Sequence, residues 1–476
     1  MQASDLLLGH RRKRDSLPLA NLLPYLACGR VGDFEPLHLL DDGALGFALE
    51  FDAPPVDTEV DREDSISRLI DQALRALPEG VQWQWFVKSS SFVEPQLRLY
   101  GAQEGQHPIA RACTSYYTQR WRKAQREGFF PGEPDGNFFP RSQSILISLK
   151  SPPLPPTRTP FATLLGRSDA SNKIASSFIE TARRLQAMLA AQGIPASALC
   201  ADRLANWVID LLFPWRCFDH PAVCTGLHSV REAIGSFGSI DPVHLRGFRT
   251  VSAGAEAHHR VVSMLWHPRA VRPGMLNTLA LLRPCLSVSL SGRGMPLASS
   301  TLRLKAQSLL NARSANRFNE IETLARAQAL SDVEHRLFSE GERLVEGRLQ
   351  VHVIESSAEE AEEAARAICT YLQELEIESA PEEEIGSSLI LRGCLPFTIY
   401  EATERKLRRR RRFLSRDFAD MHPAGGCWKG IPPSREGSDI SSRPNVMYSN
   451  SLGEPLFLDP SRAERNPHAL VVGQSG

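Results

Sequence analysis

The sequence has no apolar run near the roughly 18 to 20 residues that cross a bilayer as a helix. The nearest, LANWVIDLLF, is interrupted by Asp210. It lacks a secretory leader pattern, because the basic cluster Arg11 to Arg14 follows the leucines of MQASDLLLGHRRKRDSLP instead of preceding a long apolar segment. It has no Cys-x-x-Cys pair. Its nine cysteines, at 28, 113, 200, 217, 224, 285, 369, 394 and 427, are odd in number and widely spread, which suits reduced thiols in a cytosolic protein better than a disulfide framework. There is no surplus of charge either, with 55 Lys+Arg against 55 Asp+Glu. Any nucleic-acid or membrane partner must therefore be argued from local clusters.

What is present is length and rhythm. At 476 residues, a prior of roughly 150 residues per domain gives about three units. Residues 1–36 read as a loosely structured arm ending in LLPYLACGRVGDFEP. Residues 37–150 read as a first α/β module. It comprises a strand at 43–51, an amphipathic helix at 61–77, an alternating strand VQWQWFVK, a helix IARACTSYYTQRWRKAQREG and a strand SQSILISLK. SPPLPPTRTP, 151–160, has five prolines in ten residues and marks a linker. Residues 161–400 read as a second α/β module with a helical insert. Its helices are Ser171 to Gln192 and Ala198 to Phe213, residues 214–275 carry weak periodicity, and CLSVSLSG forms a strand. A long helix follows from Met295 to about Gly341, then a strand at 348–356 and a glutamate-rich helix capped by Ser356 or Ser357. Residues 401–445 read as a basic helix and linker. Residues 446–476 open a further domain with a hairpin turning near Leu452–Gly453 and a buried strand HALVV. The expected fold class is mixed α/β.

The stretch NPHALVVGQSG poses a sharp question. A buried strand running into Gly-x-x-x-x-Gly-Lys-Ser/Thr is a phosphate-binding loop, in which backbone N–H groups wrap the phosphates, the lysine neutralises them and the hydroxyl holds magnesium. Gly473, Gln474, Ser475 and Gly476 fill its first four positions. A plain strand turn fits the same residues. So does the start of a nucleophile elbow, Gly-x-Ser-x-Gly, with Ser475 as nucleophile, although no HGGG-type segment stands upstream to supply an oxyanion hole.

Other clusters have bland and sharp readings. KLRRRRRF places Arg408, Arg409, Arg410, Arg411 and Arg412 in an expected helix, where five in a row point all around the axis. That suits a solvated linker, or a dock for an acidic partner such as the glutamates at 359–363. No aromatic ladder supports single-strand binding, so contact with nucleic acid or anionic lipid is weakly supported. Cys217, His220, Cys224 and His228 have the residue types of a zinc site, but Pro221 and Gly226 argue against one helical face. Buried cysteines and surface histidines are the plainer reading. Trp83 and Trp85 share one face of a strand and read as core, and Asp41–Asp42 read as turn chemistry.

Four segments carry a family likeness: LLPYLACGRVGDFEPLHLLDDGALGFALEFDAPP, the helix ending in LLFPW, LRLKAQSLLNARSANRFNEIETLARAQALSDVEHRLFSEGERLVEGRLQVHV, and NSLGEPLFLDPSRAERNPHALVVGQSG. Together they resemble the TraC-type conjugative-transfer ATPases of type IV secretion systems. In that family such a region precedes a RecA-like motor, introduced by a lead in which Gly453, Pro455, Asn466, His468 and Gly473 stand in matching order here. The resemblance implies ATP and Mg2+ as cofactors of the full-length protein, and partners among secretion components at the inner membrane and other copies of the chain. It also implies a cytoplasmic position, peripheral to that membrane. The sequence departs from the family pattern in holding no lysine or Ser/Thr after the loop's opening, so this stretch alone is expected not to hydrolyse ATP. The alternatives are a stand-alone scaffold without a motor and a truncated α/β-hydrolase.

Overall fold

The computed structural model describes residues 19–56, 61–91, 93–101, 108–132, 138–154, 169–214, 222–224, 229–244, 246–252, 255–282, 285–296, 321–430 and 446–458. The first part of the chain forms β1 (Tyr25–Val31), β2 (Phe34–Leu40), β3 (Leu45–Phe51), α1 (Arg62–Ala76), β4 (Gln82–Ser90), α2 (Glu94–Gly101), α3 (Pro108–Glu127) and β5 (Ser142–Lys150). Then follow α4 (Asp169–Ala191), β6 (Ser197–Ala198), α5 (Ala201–Leu212), α6 (Val230–Gly235), β7 (Ser239–His244), β8 (Gly247–Ser252), β9 (Ala255–Trp266) and β10 (Leu286–Gly294). The remainder holds α7 (Ile321–Phe338), β11 (Leu344–Glu355), α8 (Ala358–Glu374), β12 (Glu378–Pro381), α9 (Gly386–Leu391), α10 (Glu401–Leu407), β13 (Arg411–Leu414) and α11 (Ser415–Asp420). A separate hairpin of β14 (Val446–Ser449) and β15 (Pro455–Leu458) comes last.

The fold is mixed α/β, as its alternating strands and amphipathic helices predict. Among the described residues, thirteen strands form one sheet, whose main path runs β1-β2-β3-β5-β4-β10-β11-β9-β8-β7. Its ladders are antiparallel throughout. The reason is visible at β4 and β5, where Ser90 lies opposite Ser142 and Gln82 opposite Lys150. The intervening α2 and α3 stay at one end of the strands and do not cross the sheet, so the chain returns in the opposite direction.

The two modules expected on either side of 151–160 share this sheet. β4 pairs with β10 from Gln82↔Arg293 to Ser89↔Leu286, and β6 adds to β3. One expectation needs correction, and one unassigned stretch gains its elements. The last part of the arm, from Leu19, is ordered, and β1 is built from it because β2 offers a free edge. The weakly periodic 214–275 contributes the β7–β8–β9 meander, whose strands mix Gly, Pro and charged residues and so hide their alternation. Of the expected long helix from Met295, residues 321–338 are α7, and 297–320 lie outside the described residues.

The sheet has two unlike faces. On one, Trp83, Trp85, Ile147, Val288, Leu290 and Val351 pack against α1, α4, α8 and α11. The tryptophans are buried and stacked, with centroids 6.2 Å apart, as their core reading predicts. Gly292 and Gly347 face each other across β10 and β11, and the Phe418 ring of α11 fills the notch. A Cβ on Gly347 would stand 2.2 Å from that ring.

The opposite face is apolar where α5 and α6 cover it, but its centre is a buried polar bed of Gln84, Ser148, Ser289, Arg348 and Gln350. The irregular residues 392–400 lie on this bed, and side chains satisfy their backbone. Gln84 Nε2 donates to the carbonyls of Gly393 and Leu395 at 3.3 and 3.4 Å, and its Oε1 accepts from Phe397 N at 2.8 Å. Lys150 donates to Ile399 O at 3.0 Å, and Ser289 to Gly393 O at 3.2 Å. A buried loop is tolerated only with such partners. Among the described residues, no helix is long and apolar enough to cross a membrane.

Candidate functional site

The arginine run is not helical. α10 ends at Leu407, Arg408 takes the left-handed conformation at φ 53°, and Arg411 and Arg412 enter β13. β11 explains the switch. Its twelve residues are paired by β9 only from Gln350 to Glu355, so Leu344 to Gly347 offer an open edge that captures Arg411 to Leu414. That ladder overrides the helical preference of arginine.

The run is also largely consumed inside the fold. Arg409 grips Glu382 through two bonds of 2.7 and 3.0 Å, and this pairing raises its pKa. Arg410 meets Glu401 at 3.0 Å and Glu404 at 3.2 Å. Burial lowers the Arg410 pKa in spite of both carboxylates. Arg411 donates to Leu265 O at 2.5 Å and lies 5.3 Å over the Trp266 ring. Only Arg408 and Arg412 of the five are exposed. The acidic partners come from α10, from the β12–α9 connection and, 3.9 Å from Arg410, from Glu346 of β11, not from the glutamate-rich helix α8. The innermost link is an Arg348–Glu404 ion pair, each side chain 1% exposed. In RLQVHV, Arg348 is the one charged residue on the polar face that it shares with Gln350 and His352, while Leu349, Val351 and Val353 face the apolar core. A charge at a core-facing strand position is the signal that foretells such a pair.

A second junction gathers residues that sequence reading did not single out. After α11, His422 is buried, with Nε2 donating to Glu63 O at 3.1 Å and Nδ1 accepting from Ala424 N at 3.2 Å. Burial holds its pKa down at about 4, so the ring is neutral, as both bonds require. Gly425 N then donates to Asn277 Oδ1 at 2.7 Å, and Gly426 exchanges backbone bonds of 3.0 Å with Pro54 O and Val56 N. Lys429 reaches Glu454 at 2.9 Å and Asp52 at 3.4 Å. Burial opposes its charge, but the two carboxylates outweigh it and raise the pKa.

The expected hairpin is present, with Asn450 Oδ1 accepting from Leu452 N and Glu454 N to shape the turn and Gly453 at φ 84°. Met447 and Phe457 are buried with Val93, Leu97, Tyr100 and Trp121 of the α2–α3 layer. Glu454 also accepts from Gln143 N at 3.2 Å, and Gly453 O from Arg141 N at 2.8 Å. β15 is thus seated on the first module.

Gly473, Gln474, Ser475 and Gly476 lie outside the described residues, as do Cys217, His220 and His228. Cys224 is described, and its N–H donates to Asp202 at 2.6 Å. Among the described residues, no three His, Cys, Asp or Glu side chains are arranged to hold a metal ion. Asp41 and Asp42 do flank a turn, and they also bind Tyr400 at 2.6 Å and Lys150 at 2.7 Å. No protein-family model matches the chain, and no curated protein matches it.

Proposed function

We propose that this chain is the assembly and docking region of a conjugative-transfer ATPase of the type IV secretion kind, placing a motor domain at the cytoplasmic mouth of a transfer channel. In this reading 446–476 open a RecA-like domain, Gly473 to Gly476 contribute backbone N–H groups to ATP phosphates, and Mg2+ and the lysine belong to residues beyond them. The protein would sit at the inner membrane through partner components.

The observation that supports this most is the seating of the hairpin. Met447 and Phe457 in the α2–α3 core, together with the Lys429–Glu454 pair, fasten the hairpin that leads toward HALVV and the glycine loop onto the sheet. Nucleotide-driven movement would travel through 415–430 into both halves of that sheet, which 392–400 fasten together.

Two measurements test the proposal. The coding sequence after Gly476 should continue x-Gly-Lys-Ser/Thr. An immediate stop supports a scaffold, and x-Gly without lysine supports the hydrolase. The chain should also retain inner-membrane secretion components in a pull-down. Its failure to do so where a longer chain succeeds would sink the docking role.

A further inference from the structure

Two faces of the described chain carry opposite charge and exposed apolar surface. The first is the outward side of α3, where Ile109 and Tyr116 stand 68% and 62% exposed. Beside them a groove of about 360 Å³ runs between Tyr116, Arg120, Lys123 and Phe129. The helix exposes Arg111, Arg120, Arg122 and Lys123 against one exposed carboxylate, Glu127. Arg122 is held by Glu94 at 2.6 Å, and Lys123 lies 3.6 Å from Glu127.

The second face is a groove of about 390 Å³ between the β8–β9 ladder and the start of α8, lined by the apolar Phe248, Ala358 and Ala361, by four arginines and two histidines, and by Glu359 and Glu362. Its surroundings are acidic. Glu359, Glu360 and Glu363 on α8 and Glu383 and Glu384 beside it are exposed, against exposed Arg246 and Arg366. The groove's guanidinium groups are already matched within the chain. Arg246 meets Glu383 at 2.6 Å, Arg249 meets Asp241 at 2.9 Å, Arg260 meets Glu362, and Arg366 lies 3.9 Å from Glu362.

We infer that these faces meet between copies of the chain, with Tyr116 and Ile109 of one copy set against the groove beside α8 of the next, and Arg120 and Lys123 opposite Glu359 and Glu363. The apolar knobs need a groove and the cations need carboxylates, and the α8 face offers both. Because the two faces differ, the contact is head-to-tail and continues into a ring or a chain of copies. The inference gives surfaces to the self-association that the proposed function includes, but it does not depend on a motor. α3 also supplies Trp121 to the hairpin core, so the contact would lie one helix away from β15.

Sedimentation velocity of the full 476-residue chain tests it. The sedimentation coefficient should rise with concentration and fall with added salt. R120E/K123E and E359K/E363K should each weaken association about tenfold or more; the first should unfold at the parent temperature, and the second, which sets a cation in the first turn of α8, a few degrees below it but far above the temperature of the experiment. Mixing the two variants should restore association, because each then presents a face of opposite charge to the other. A chain that stays monomeric, association unchanged in both variants, or no restoration on mixing would each overturn the contact. Binding of a 20-nucleotide oligothymidylate or of phosphatidylglycerol vesicles that requires Arg120 and Lys123, with the chain monomeric, would give α3 to another partner.

Discussion

Two basic stretches lie among the described residues, and the fold treats them oppositely. At 408–412 the linear charge is densest, yet Arg409, Arg410 and Arg411 turn inward to Glu382, Glu401, Glu404 and the Leu265 carbonyl. On α3 the cations are spaced out along the helix, and Arg111, Arg120, Arg122 and Lys123 face water. Charge density along a sequence therefore says little about charge on a surface. What decides is whether remote segments bring carboxylates to the same place, and around β11 and α10 they do.

The largest break in this comparison should come from the centre of the inward cluster. Glu404→Ala leaves Arg348 buried without its partner and strips Arg410 of one, so a loss of about 3 to 5 kcal/mol is expected, read from urea denaturation. Phe457→Ala should cost about 3 kcal/mol where the hairpin unfolds with the rest. Hydrogen exchange should then rise first in β14, β15 and the Lys429 segment, and unchanged protection there would contradict the seating of the hairpin on the α2–α3 core.

Acid should act on the buried junctions before it acts on α3. Burial lowers the pKa of His38 to about 4, of His352 to about 3 and of His422 to about 4, from an ordinary value near 6.5. A lowered histidine pKa means that the unfolded chain binds protons first. Stability is therefore full above about pH 6.5 and falls as pH drops toward 4, by on the order of 2 kcal/mol or more. His422→Gln should flatten that fall, as checked by urea midpoints at pH 7 and pH 5. The smallest effects belong to Arg408→Gln and Arg412→Gln. They should stay within about 0.5 kcal/mol, since neither side chain is buried; a larger loss in thermal melts would mean that the whole run is structural.

Much of the fold was legible in the sequence. Period-two alternation marked β4, β5 and β10, helical spacing marked α1, α4 and α8, and the turn near Leu452–Gly453 marked the hairpin. Each of these signals is local. The run at 408–412 misled because five arginines favour a helix in isolation, whereas the open edge at Leu344 to Gly347 lies more than sixty residues away in the chain. Lys429 and Glu454 were silent for the same reason. An ordinary lysine and an ordinary glutamate become a junction only when Asp52 and Gln143 are brought beside them.

By itself, the sequence determined the mixed α/β class and the positions of most of the described strands and helices. The tertiary structure decided that the two expected modules share one antiparallel sheet, that the arginine run is spent inward, and that α3 and α8 present the charged faces. The physical reason is that helix and strand periodicity are properties of neighbours in sequence. Sheet edges, buried ion pairs and exposed charge depend on which distant residues arrive, and desolvation makes those arrivals decisive.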